Sequence, residues 1–216
     1  MVKSKSMTSE EIHLNQTLEK EGYRVVESDL GEFIVQLKKE APYHIVFPAM
    51  HLTRYQISDL FHKTLKSNPT DSPEELTMIA RKALRREYMN ADVGLTGANF
   101  AVADTGMISV TENEGNSRLT GSLPKTMITL IGIEKVIPRM QDLALFLPML
   151  ATVGAAQGIT CYNTLYSGPR QPGECDGPEE YHVILLDNGR SRLQKDPVYR
   201  EVLKCMRCGS CINVCP

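Results

Sequence analysis

The chain has 216 residues, of which 42% are apolar and 23% are charged, as is usual for a folded domain with a sizeable core. The formal net charge of −2 excludes the strongly basic surface typical of nucleic-acid-binding proteins. It also excludes a polybasic surface for anionic lipid.

The N-terminal half alternates between helix and strand signals. Thr8 and Glu11 have the spacing of a capping box and predict a helix that ends at Gly22. Short β-rich runs predict strands near 23–27 and 44–47.

Two further helices follow in the sequence. Apolar residues at helical spacing predict a helix over 54–66. Ser72, as N-cap, and Pro73, at the first position, predict the start of a long helix that continues through residue 91.

The C-terminal half contains more strand signals, and the loop-like stretch 167–177 is rich in glycine and proline. Because strands alternate with helices, we predict an α/β domain with a mainly parallel sheet. We place this domain at 1–195, and a connector helix with the cysteine-rich end of the chain at 196–216. The remaining predicted elements are strands at 92–97 and 107–111 around a loop at 98–106, a strand within 126–137, a helix at 139–153, and strands near 160–166 and 181–187.

The longest apolar run, residues 143–156, is interrupted by Pro148 and is shorter than the about 20 residues of a membrane span, so we expect no transmembrane segment. The N-terminus lacks the apolar region of a secretory signal. Six cysteines without such a signal indicate a reducing compartment, where clustered thiols are more often metal ligands than disulfides. We expect a cytoplasmic location, or one peripheral to the inner face of the membrane through partners.

Four cysteines stand in the last residues of the chain, which we call the cysteine segment (residues 205–216). Cys205, Cys208, Cys211 and Cys215 are spaced C-x2-C-x2-C-x3-C, and Pro216 follows. This spacing is typical of bacterial ferredoxins, in which thiolates hold a [4Fe–4S] cluster. The alternative is structural zinc, which more often joins two C-x2-C pairs across a long spacer.

The fourth cysteine of such a run ligates the other cluster in two-cluster ferredoxins. Cys205, Cys208 and Cys211 are then ligands of a first cluster, and Cys215 is a ligand of a second. The sequence shows no second Cys-Pro segment, and Cys161 and Cys175 are isolated. We therefore expect poor or substoichiometric cluster incorporation by this chain alone.

Polar residues also fall where strands are expected to end, which is where open α/β sheets bind ligands. For each one a turn or a solvated strand end is an alternative, and no motif assigns a catalytic role. The segment 112–116 has the composition of a hairpin turn, and residues 104–106 that of another. The candidates for a ligand cleft are Lys3, Asp29, Glu32, Asn99, Asp104, Thr105, Glu114 and Asn116.

Segments 2–37, 91–138 and 176–191, together with the final "CMRCGSCINVCP", resemble the bacterial iron–sulfur proteins of L-lactate utilisation. These proteins belong to the domain family named for lactate utilisation. The resemblance implies an α/β fold of the sugar-phosphate isomerase and CoA-transferase type, followed by the start of a ferredoxin-like [4Fe–4S] segment. It also implies two [4Fe–4S] clusters in the full-length protein. Members are longer at both ends, so we expect this chain to be a fragment.

The function that the resemblance implies is electron transfer. Such a protein acts with two partner subunits to oxidise L-lactate to pyruvate, as an electron-transfer component rather than a stand-alone catalyst. One alternative is an α/β domain that is itself an enzyme or binder for a small carboxylate or CoA-like ligand, with an accessory cysteine tail. Another is a zinc-stabilised interaction module.

Overall fold

The computed structural model describes residues 1–44 and 46–214. Its strands are β1 (Val2–Lys3), β2 (Val26–Glu27), β3 (Val93–Gly97), β4 (Phe100–Val102), β5 (Ile108–Glu112), β6 (Thr126–Gly132), β7 (Val136–Ile137), β8 (Tyr162–Tyr166) and β9 (Glu180–Leu186). Its α-helices are α1 (Met7–Glu10), α2 (Leu14–Lys20), α3 (Leu30–Lys38), α4 (Arg54–Leu65), α5 (Pro73–Asn90), α6 (Asn116–Ser122), α7 (Leu143–Met149), α8 (Arg190–Lys195) and α9 (Ser210–Val214).

Five strands form a parallel sheet in the order β2-β1-β3-β6-β9. Helices connect most of these strands, as parallel pairing requires a crossover between strands. The β6–β9 pairing runs in register from Thr126 opposite Glu180 to Gly132 opposite Leu186. The predicted α/β class with a mainly parallel sheet is therefore confirmed, and the finer likeness to isomerase and CoA-transferase folds stays a prediction.

A hydrophobic core lies between the β1–β2 end of this sheet and helices α3, α4 and α5. Val2 and Val26 contribute from the strands, Phe33 from α3, Phe61 from α4 and Leu84 from α5. All five are buried, and burying an apolar side chain of this size stabilises the fold by about 1.5–3 kcal/mol. This core fixes the position of β1 and β2, whose carboxyl ends carry several of the candidate cleft residues.

A second, four-stranded sheet in the order β7-β4-β5-β8 was not predicted. Its strand β4 lies inside the predicted loop 98–106 and pairs antiparallel with β5, while β5 pairs antiparallel with β8. Phe100 and Val102 of β4 pack with Ile137 and Leu143 in a second buried cluster. A three-residue strand has too little periodicity to be recognised from sequence, so tertiary packing decides it.

Helices α4 and α5 confirm the sequence prediction, and α5 also has the predicted N-cap. The Ser72 hydroxyl accepts a hydrogen bond from the Glu75 backbone N–H at 3.3 Å, and Pro73 occupies the first turn. An N-cap satisfies one of the backbone donors that have no partner within the helix. The cap thus marks the start of an 18-residue helix that packs on the core.

We expect Ser72→Ala to lower the free energy of unfolding by about 1 kcal/mol, because the cap is lost. Chemical denaturation followed by circular dichroism measures this change. Ser72→Thr keeps a hydroxyl acceptor and is the matched control, for which we expect a smaller loss. Equal losses in the two variants would contradict a capping role.

The N-terminal helix differs from its prediction. Ser6, not Thr8, is the N-cap, because its side chain accepts from the Ser9 backbone N–H at 3.2 Å. The helix then stops at Glu10, and His13 adopts a left-handed conformation (φ 52°) before α2 begins. The predicted capping box of Thr8 and Glu11 is therefore wrong, and Glu11 is free to form ion pairs elsewhere.

The strand predicted at 44–47 is also wrong for the described residues of that range, since Ile45 lies outside them. His44 and Val46 form bends, and the His44 ring nitrogen Nδ1 accepts hydrogen bonds from the backbone N–H groups of Val46 and Phe47. Local side-chain hydrogen bonds of this kind compete with strand pairing.

The apolar run at 143–156 forms a shorter α-helix than expected. Helix α7 ends at Met149, and a π-helical turn continues from Leu150 to Gly154. Pro148 contributes to the irregularity because it has no backbone N–H to donate. None of the helices in the described ranges has both the length and the apolar character needed to cross a membrane. The domain boundary expected near residue 195 stays a prediction.

Candidate functional site

A cleft of about 530 Å³ opens where β1, β3 and β6 end at their carboxyl termini. Residues that follow these strands line it, among them Lys5 after β1, Asn99 after β3 and Lys135 after β6. Open parallel sheets bind ligands at this edge, and the volume is in the range of small-molecule sites. We call this feature the cleft.

Buried hydroxyl groups lie along one side of the cleft. The Ser4 Oγ is 2.6 Å from the Thr96 Oγ1, which is 3.0 Å from the Ser117 Oγ. All three residues line the cleft and are almost fully buried. Since a hydroxyl can both donate and accept, this chain of groups can present either a donor or an acceptor to a bound molecule.

Two acidic residues stand together at the start of α3. Asp29 caps the helix, its Oδ1 accepting from the Glu32 backbone N–H at 3.1 Å, and Glu114 Oε2 accepts from the Leu30 backbone N–H at 3.1 Å. Burial and the nearby charge of Asp29 raise the pKa of Glu114 to about 7. Glu114 can therefore exchange a proton near neutral pH.

Glu32 lies beneath the cleft among other carboxyl groups. Burial, followed by repulsion from Glu10 and Glu27, raises the pKa of Glu32 to about 8. Burial also raises the pKa of Glu10. Of the nearby cations, Lys5 acts to lower the pKa of Glu32, whereas the fully buried Lys3 donates to Glu27 Oε1 at 2.6 Å. At neutral pH Glu32 is thus mainly a neutral carboxylic acid.

The structure brings half of the eight candidate cleft residues together. Asp29, Asn99, Glu114 and Asn116 line the cleft. Lys3 and Glu32 do not line it: Lys3 is buried at the end of β1, and Glu32 is buried in α3.

Asp104 and Thr105 do not belong to the cleft, which corrects their assignment. They form the turn between β4 and β5, where Asp104 accepts from the Met140 backbone N–H and the Thr105 hydroxyl accepts from that of Met107. Their carboxylate and hydroxyl thus stabilise backbone, as the alternative of a turn predicts. The other predicted turn, at 112–116, instead leads into α6, with Gly115 (φ 75°) as its N-cap.

Sequence reasoning missed several residues of the cleft. Lys135, Thr96, Ser117 and Glu112 all line it. Lys135 had one available signal, since it lies near the end of the range 126–137 in which a strand was predicted. No sequence signal was available for Thr96 and Ser117, because their proximity depends on how α6 packs against β3.

The cysteine segment begins after a 3-10 turn at Tyr199–Lys204. Cys205, Cys208 and Cys211 are free thiols. Cys215 lies outside the described residues. Gly209 (φ 80°) adopts a left-handed conformation that lets the backbone turn sharply between Cys208 and Cys211.

A network of ion pairs holds the start of the cysteine segment on the α/β domain. Arg207 donates to Glu11 Oε2 at 2.9 Å and lies 3.7 Å from Glu134 Oε1. The buried Arg190 pairs with the same two carboxylates. Burial alone raises the pKa of Glu11, but hydrogen bonds from Arg190, Asn188 and Arg207 outweigh it and lower that pKa to about 2. Glu11 therefore stays ionised and bridges the two arginines.

The donor chemistry of the cysteine segment fits an iron–sulfur cluster. Free thiols can form the thiolates that ligate iron, and Cys205, Cys208 and Cys211 have the ferredoxin spacing. Within residues 1–44 and 46–214, however, no three Cys, His, Asp or Glu side chains are close enough to share a metal ion. The isolated Cys161 and Cys175 are exposed free thiols.

Known proteins resemble the chain over its whole length. It is 50% identical over 217 residues to "Lactate utilization protein B" of Bacillus velezensis and 49% identical to the protein of that name in Bacillus subtilis. It is 44% identical over 216 residues to the "Uncharacterized electron transport protein YkgF" of Escherichia coli. Each alignment covers 100% of this chain and 45% of the relative. The chain thus spans less than half the length of these relatives.

The family comparison agrees with the fold. The model of the LUD domain matches residues 2–186, a range that begins at β1 and ends at the last residue of β9. It includes the parallel sheet and the strand ends that form the cleft. The chain belongs to the LUD domain family.

Proposed function

We propose that this chain supplies cysteine ligands to [4Fe–4S] clusters and is the electron-transfer component of a multi-protein system that oxidises L-lactate to pyruvate. It acts there with two partner subunits in the cytoplasm. The observation on which the proposal depends is the run Cys205, Cys208, Cys211 and Cys215 followed by Pro216. Thiolates at this spacing hold clusters in bacterial ferredoxins, and a bound cluster supplies one-electron redox chemistry.

Two further observations support this function. The relatives are named for lactate utilization and for electron transport. The three described cysteines of the run are free thiols, and the ion pairs of Arg207 hold the segment against the domain. A segment fixed in this way can hold a redox group near the surface, where one-electron exchange with a partner takes place.

Anaerobic reconstitution with iron and sulfide tests the proposal. We expect the chain alone to gain a substoichiometric amount of bound iron, with a broad visible absorbance that dithionite bleaches. Cys208→Ser should lose most of that iron, since a hydroxyl is a poor substitute for a thiolate ligand. Elemental analysis and visible spectroscopy measure both effects.

Cys161→Ser and Cys175→Ser are the matched controls, because both cysteines are exposed free thiols outside the run. We expect both to keep the iron content of the unsubstituted chain. Bound zinc without iron after anaerobic reconstitution would overturn the proposal in favour of a zinc-stabilised module.

A further inference from the structure

The cleft has a wall that does not come from the parallel sheet. Met206, Arg207 and Cys208 of the cysteine segment line it, opposite the strand ends. Met206 packs against the cluster of Phe100, Val102, Ile137 and Leu143. The segment and the α/β domain therefore enclose one shared space.

Close contacts fix this wall. A Cβ atom added to Gly154 would lie 3.1 Å from the Cys208 carbonyl oxygen, so the segment packs closely on the π-helical turn. On the other side, the Lys135 ammonium donates to the Cys205 carbonyl at 3.3 Å. Together with the ion pairs of Arg207, these contacts hold the cysteine segment in place as one wall of the cleft.

The acidic side chains that line the cleft are already engaged by backbone donors. Asp29 and Glu114 each accept from a backbone N–H group at the start of α3. Glu112 accepts from two, those of Ser117 and Arg118, at 2.7 and 2.9 Å. Their negative charge is therefore partly satisfied within the fold.

The two lysines that line the cleft have ammonium N–H donors that are not used in hydrogen bonds among the described residues. An ammonium group has three N–H donors. Among the described residues, Lys5 has one hydrogen-bond acceptor, the Val46 carbonyl at 2.9 Å, and Lys135 has one, the Cys205 carbonyl. Charge-assisted hydrogen bonds from ammonium to a carboxylate or phosphate are among the stronger polar contacts. The unfilled donors suit an anionic ligand.

We propose that the cleft binds a small organic anion between the α/β domain and the cysteine segment. Lys5 and Lys135 bind its charged group, and the Ser4, Thr96 and Ser117 hydroxyls bind its remaining polar atoms. A ligand in this position lies against Cys208, which lines the cleft. Binding requires no cluster, so this proposal can fail or succeed independently of the electron-transfer function.

The test uses the metal-free full chain under anaerobic conditions, with L-lactate, pyruvate and inorganic phosphate as separate probes. Titration calorimetry measures binding, and mass spectrometry measures the rate at which iodoacetamide alkylates each cysteine. We expect at least one probe to bind and to slow the alkylation of Cys208. Cys161 does not line the cleft and should react at an unchanged rate. The probe that binds identifies the anionic group.

Variants assign the site. Lys135→Met and Lys5→Met should each weaken binding about tenfold or more, the loss expected from one charge-assisted hydrogen bond. Lys125→Met is the matched control, since this exposed lysine does not line the cleft. Circular dichroism checks folding, and if Lys135→Met unfolds, Lys5→Met decides the result. Absence of binding by all three probes, or equal binding in the folded lysine variants, would overturn the proposal.

Discussion

We expect Lys3→Met to lower the free energy of unfolding by about 3–5 kcal/mol, the usual cost of removing one partner of a buried ion pair. Lys3 is fully buried, and its ammonium donates to Glu27 Oε1 at 2.6 Å. Methionine has a similar length but no charge, so the buried Glu27 would lose its cation while Glu10 and Glu32 stay close to it. Urea denaturation at neutral pH measures the loss.

The double variant Lys3→Met/Glu27→Gln distinguishes two causes of the lost stability. One is the unpaired carboxyl group of Glu27, and the other is the loss of side-chain packing around Lys3. Glutamine removes the negative charge, yet its carbonyl oxygen can still accept the hydrogen bond that Asn15 donates to Glu27 Oε1 at 2.6 Å. We expect the double variant to regain a large part of the lost stability. A loss below about 1 kcal/mol in Lys3→Met is typical of an exposed ion pair. It would show that Glu27 has access to solvent in the folded protein.

The predictions that the structure confirms are those with long, repeated signals. Helix α5 has an N-cap, a proline at its first position and 18 residues of helical pattern. Strands β3, β6 and β9 are strand-like runs, and the alternation of such runs with helices indicated a parallel sheet. Several independent local signals agree in these elements, so the secondary structure that the local sequence favours is also the one that tertiary packing stabilises.

The elements that were missed are short or were interpreted as loop. In α3, Leu30, Phe33, Ile34 and Leu37 do have helical spacing, but Asp29 was interpreted as a cleft residue rather than as the N-cap that it is. Asp29 caps α3 and also lines the cleft, and its role in binding a ligand stays a prediction. A capping residue at a strand end can therefore be part of a site and of a helix at once.

The candidate site was predictable only as far as strand order could be inferred. Asp29, Asn99, Glu114 and Asn116 meet because the carboxyl ends of β2 and β3 and the loop before α6 share one edge. Asp104 had the same local composition but lies in the turn between β4 and β5 of the second sheet. The contribution of the cysteine segment to the cleft could not be predicted, since it depends on ion pairs that join Arg207 to Glu11, 196 positions away.

The second large effect concerns pH. The pKa of Glu32 is raised from 4.5 to about 8, so between these values the folded state binds more protons than the unfolded state. The free energy of unfolding then falls as pH rises through this window. At about 1.4 kcal/mol per pH unit, Glu32 lowers the free energy of unfolding by about 2 kcal/mol between pH 6 and pH 8. We expect Glu32→Gln to abolish this decrease.

Urea midpoints and slopes at pH 6, 7 and 8 measure this effect for the unsubstituted chain and for Glu32→Gln. Glu10 on α1, Glu27 on β2, Asp29 before α3 and Lys5 after β1 face Glu32 and remain in both proteins, so the difference between the two curves isolates Glu32. Glu19→Gln removes an exposed carboxylate from α2 and should leave the pH dependence unchanged. If Glu32→Gln kept the full pH dependence, Glu32 would be ionised in the folded state, and the carboxyl groups beneath the cleft would require a cation to offset their charge.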